Sequence, residues 1–161
     1  MQLKTLSTLC LFSVALIAQA ASSPVKSGAD ASNPGKLLNE MRVNAEQIRS
    51  CARNLENLSQ TLQEPKWSDY DEQWNMIKPA QERINLETQR LEQMKASLSN
   101  PEQQMFGQIK RDVAEITRET NDLWKRLGRQ KVDLATPALA TDARHLNRAA
   151  GDLIKMTAST S

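Results

Sequence analysis

Three tryptophans, six methionines, two cysteines and a single histidine are the side chains of this 161-residue chain with chemistry beyond charge and apolarity. Their spacing excludes more than it offers. There is no C-x-x-C, no C-x-x-C-H and no H-E-x-x-H, and His145 alone cannot supply a site built from two imidazoles. Asp142 and His145 stand three apart, as in half of a carboxylate di-metal motif. That site needs a second such pair and carboxylates from facing helices, and the chain has no second pair. One histidine also leaves no nucleophile–base pair for hydrolysis, and no glycine-rich phosphate loop is present. The expectation is a protein that is not an enzyme and needs no cofactor.

Two ligand chemistries remain as the alternative. Met41, Met94, Met105 and Met156 are soft donors that could hold Cu(I), although methionine more often fills irregular gaps in a core. His145 invites a haem argument, but the apolar stripe around it leaves it on the outer side of its helix.

The elements that must position these residues begin after an address. Lys4, the apolar run Leu6–Ile17 and the small-x-small Ala18-Gln19-Ala20 have the form of an export signal cleaved after Ala20. Export implies a periplasmic or secreted protein. Removing twenty of 161 residues leaves 141, the size of one domain. Lys4 leaves with the signal, so 20 basic groups face 19 acidic ones. So even a balance argues against nucleic acid or an anionic membrane as partner. No transmembrane segment is expected in the mature chain. Cys10 also leaves, and Cys51 becomes the only cysteine: either buried as a small apolar residue or paired across a homodimer by an intermolecular disulfide.

Residues 21–35 are small, with two prolines and two glycines, and read as a flexible leader. Residues 36–158 read as one helical bundle domain. Its strongest signal is Tyr70, Ile77, Ile84, Leu91 and Leu98, an apolar residue at every seventh position. Such a repeat keeps one seam of a helix on a partner, in the manner of a coiled coil. Similar stripes run through Leu38, Met41, Ala45, Ile48, Ala52, Leu55 and Leu62, through Phe106, Ile109, Val113, Ile116, Thr120, Leu123 and Leu127, and through Leu139, Ala143, Leu146, Ala150 and Leu153. The spacing predicts helices over about 36–63, 68–98, 101–127 and 137–157. Ser68 with Asp71, Asn100 with Pro101, and Thr136 with Pro137 are the expected starts. Gly128 is the expected left-handed stop of the third helix. Pro79 should kink the second helix without breaking it.

Short connections make consecutive helices antiparallel, and the economical solution is an all-α, up-down-up-down four-helix bundle with long helices. In that arrangement Leu91 faces Ile109, Ile84 faces Ile116 and Ile77 faces Leu123. The methionines then gather at one pole. At the other lie Trp67, Tyr70, Trp74 and Trp124 with Arg126 and Arg129. Aromatics and arginines dominate binding hot spots, so this pole is the expected contact surface for a protein partner. The plainer alternative is that the rings plug the end of the bundle. Protein binding in the cell envelope, as an interaction or adaptor module, is the expected function. A periplasmic bundle holding haem or copper is the alternative.

Overall fold

The computed structural model describes residues 33–61, 66–129 and 136–159. The expected export signal, and all of the leader before Asn33, lie outside them, as do Leu62 and the Arg129 side chain. The described residues form four α-helices: α1 (Pro34–Gln60), α2 (Trp67–Gln93), α3 (Asn100–Arg129) and α4 (Pro137–Ala158). A 3-10 turn, Lys95–Ser97, follows α2. The architecture is the expected all-α four-helix bundle. At 1.5 Å per residue, each helix is about 33–45 Å long.

Side-chain contacts fix the directions. Between α2 and α3, Trp74 stacks on Trp124, Gln81 donates to Thr117, and Lys110 pairs with Glu92. Numbers that rise along α2 fall along α3, so the two are antiparallel. This is also the phase that sets Ile77 opposite Leu123 and Leu91 opposite Ile109. In the same way Arg126 meets Asp142 and Glu119 meets His145 across α3 and α4. Arg144 meets Glu56, and Arg49 meets Asn147, across α4 and α1. Asn54 meets Gln73 across α1 and α2. Each helix therefore touches its two sequential or ring neighbours, and the four seams close around one core. That core holds Met41, Ile48, Leu55, Tyr70, Ile77, Ile84, Ile109, Ile116, Leu123, Leu139, Leu146 and Leu153, all essentially sealed from water.

The helix ends depart from the sequence reading in ways that local chemistry explains. α1 begins at Pro34, inside the expected leader, because the Asn33 side chain accepts the Gly35 N–H at 2.9 Å and proline is already set for the first helical turn. α2 begins at Trp67. Its cap is Lys66, whose N–H donates to the Asp69 carboxylate at 3.0 Å, so Asp69 takes the role expected of Asp71 and Ser68 falls inside the first turn. Glu102 accepts from both the N–H and the hydroxyl of Ser99 at 2.7 Å, which moves the start of α3 one residue earlier than Pro101. Gly128 does not end α3, which continues to Arg129. Thr136 caps α4 as expected, accepting the Leu139 N–H at 3.2 Å. α2 runs through Pro79 unbroken, with the ring on its exposed side. It ends at Gln93, five residues short of the expected bound, yet Leu98 still packs against the core from beyond the 3-10 turn.

Candidate functional site: the aromatic pole

The pole where α2 begins and α3 ends collects the indoles. Trp67 and Trp74 lie seven residues apart on α2, and Trp124 rises from α3 to meet Trp74. The Trp74 and Trp124 rings stack with centroids 4.6 Å apart and planes 18° from parallel. Trp74 is 9% exposed and Trp124 45%. Trp67 is half-buried against the core edge. Trp124 is thus a large apolar side chain held by a stacked neighbour and still open to solvent. Stacking removes much of the rotamer freedom that a binding contact would otherwise have to freeze.

The other expected contact residues are placed differently. Tyr70 is fully enclosed in the core and offers no surface. Its hydroxyl lies beside Ser59 without completing a hydrogen bond, and burial pushes its pKa up. Arg126 is occupied by a bidentate pair with Asp142 of α4. Arg129 closes α3, and its side chain is outside the described residues. Of the expected contact set, the structure brings Trp74 and Trp124 together and keeps Trp124 accessible. It puts Tyr70 and Arg126 to structural use.

The methionines occupy the opposite pole and its approaches. Met41 is sealed in the core, and Met94, Met105 and Met156 are half-buried against it. Met105 lines a small apolar notch of about 90 Å³ with Leu38, Leu91, Leu98, Phe106 and Ile109. These are the surroundings of gap-filling thioethers. Cys51 is 3% exposed and unpaired, and burial holds its thiol above the usual pKa. An intermolecular disulfide needs a sulfur at the surface, and the folded bundle does not present one.

His145 projects from the outer side of α4, half-exposed, as its place off the apolar stripe implies. Its neighbour is not Asp142, three residues away, but Glu119 across the α3–α4 seam, with Nδ1 3.9 Å from a carboxylate oxygen. The Glu119 side chain is 5% exposed and also pairs with Arg118. Burial pushes its pKa up, while Arg118 and His145 pull it down. These groups, with Glu115 and Arg148, line a polar cleft of about 210 Å³. Sequence reading missed Glu119 because one carboxylate beside the apolar stripe looks like a solvated flank. Its nearness to Thr120, in the stripe itself, was the available signal.

Among the described residues no group of three or more His, Cys, Asp or Glu side chains is arranged to hold a metal ion, and no helix is long and apolar enough to cross a membrane. Compared with protein-family models, curated proteins and solved structures, the chain matches none.

Proposed function

We propose that this protein is an exported, non-enzymatic helical bundle that binds another protein in the cell envelope through its aromatic pole. The observation that carries the reading is Trp124, an indole almost half in water yet fixed by its stack on Trp74. A large exposed ring costs solubility, and in an interface the same ring is the kind of anchor that contributes most to affinity. The export signal read at residues 1–20 supports the compartment.

The experiment is a pull-down from an envelope fraction with the wild-type protein and with Trp124→Ala, each checked for folding by circular dichroism. Loss of the same partner bands from the variant supports the reading. A folded Trp124→Ala protein that retains every partner overturns it.

A further inference from the structure

On the flank of α2 away from the tryptophan stack, the groove against α1 widens into an open cavity of about 350 Å³. Asp69 and Glu72 supply two carboxylates to its lining; Asn54, Asn57 and Gln73 supply amides. Leu58, half-buried against the core, supplies an apolar wall. Among the described residues, no lysine or arginine is part of the lining. Among the described residues, Asp69 accepts from the Lys66 backbone N–H and the Ser68 hydroxyl, and no cation pairs with Glu72. The cations at the same pole of α3 are already spent: Lys125 on Asp122 and Arg126 on Asp142. Asp69, Asp71 and Glu72 together more than offset the positive pole of the helix at the start of α2.

The lining is thus asymmetric in charge and amphipathic in shape. A guanidinium presents five donors in a plane, enough to engage two carboxylates and the Asn54 and Asn57 amide oxygens together. Its methylene stem would lie along Leu58, as the stems of long cationic side chains do on apolar surface. Gln73 is buried, and its amide oxygen takes a hydrogen bond from Asn54 at 3.0 Å, which fixes the floor before any ligand arrives.

We propose that this cavity receives an arginine side chain of the protein partner. The proposal deepens the binding reading above, and rests on it for the existence of a partner, but its residues are different ones.

The test is a titration of the isotope-labelled full-length protein with a blocked hexa-arginine peptide, and with hexa-citrulline as the neutral isostere, followed by NMR. The arginine peptide should shift the side-chain amide signals of Asn54, Asn57 and Gln73 saturably, and citrulline should not. Glu72→Gln should weaken binding about tenfold, the usual worth of one charged hydrogen bond. Glu82→Gln, on the exposed face of the same helix, should leave it unchanged. Trp124→Ala should also leave it unchanged, which separates this site from the aromatic one. Equal shifts with citrulline, equal weakening by Glu82→Gln, or an unaltered affinity in the Glu72→Gln, Asp69→Asn double variant would each overturn the proposal.

Discussion

The α1–α4 seam and the α2–α3 seam are both antiparallel helix pairs in one bundle, and they are built differently. Both α1 and α4 bury small residues: Ala45 and Ala52 on one, Ala140, Ala143, Ala150 and Gly151 on the other. Small side chains let two backbones approach closely, and this seam is the most extensively packed of the four. Where α2 meets α3 the packing is the sparsest. Its outer lips carry Gln81, Asn85 and Thr117 in long hydrogen bonds of 3.3–3.4 Å, and its end is wedged by two indoles. The lesson is that side-chain volume at the flank of a stripe, more than the stripe itself, sets how far apart two helix axes sit. The seam held open by bulk is also the one that presents an aromatic ring to solvent.

That contrast can be broken from either side. The largest effect should come from Trp74→Ala, which removes an almost buried ring and its stacking partner's support. It should cost about 3–5 kcal/mol in chemical denaturation. Ala150→Leu attacks the close seam by adding volume where none is free, and should cost about 1–3 kcal/mol in the same measurement. Trp124→Ala removes a ring already half in water and should cost only about 1 kcal/mol, most of it the lost stack. A loss as large as that of Trp74→Ala would mean that Trp124 is a structural plug and not a presented surface.

Smaller effects sharpen the picture of the polar positions. Thr120 faces inward on α3 with its hydroxyl buried and unbonded. Thr120→Val keeps the shape and removes the stranded group, so thermal stability should rise by about 1 kcal/mol. Glu119 gives a pH signature. Its carboxyl is held above the ordinary range by burial, so the stability it contributes is present below that range and is lost as pH rises through its folded-state pKa. Glu119→Gln should therefore gain on the wild type in melting temperature as pH rises above the ordinary glutamate range, about pH 4. Glu115 behaves oppositely. Its hydrogen bond with Arg118 lowers its pKa, so its contribution is lost as pH falls.

Much of the fold was legible in the residues. The stripes on α2 and α3 have the same phase, and the match of Ile77 to Leu123 and Leu91 to Ile109 needs only that phase and a short connection. The helix ends were less legible, because several residues near each end can cap. Asp69 and Asp71 are equally suited by type, and only the backbone's entry angle at Lys66 selects the first. Gly128 carries the signal of a stop, but its φ is not in the left-handed region and α3 continues through it to Arg129. At the candidate site, the gathering of indoles at one pole was legible. The enclosure of Tyr70 follows from its place in the seven-residue seam, which argued against its use as a contact residue; the capture of Arg126 by Asp142 was not legible. Asp142 belongs to another helix sixteen residues away.

The sequence by itself determined four amphipathic rods, their antiparallel order and the segregation of indoles from thioethers, because periodicity and spacing are local properties of a chain. Only the tertiary structure decided which ring stays in water, which carboxylates go without a cation and where the α1–α2 groove opens. Those outcomes depend on the distances between helix axes. Each distance is set by the summed volumes of side chains drawn from helices far apart in the chain.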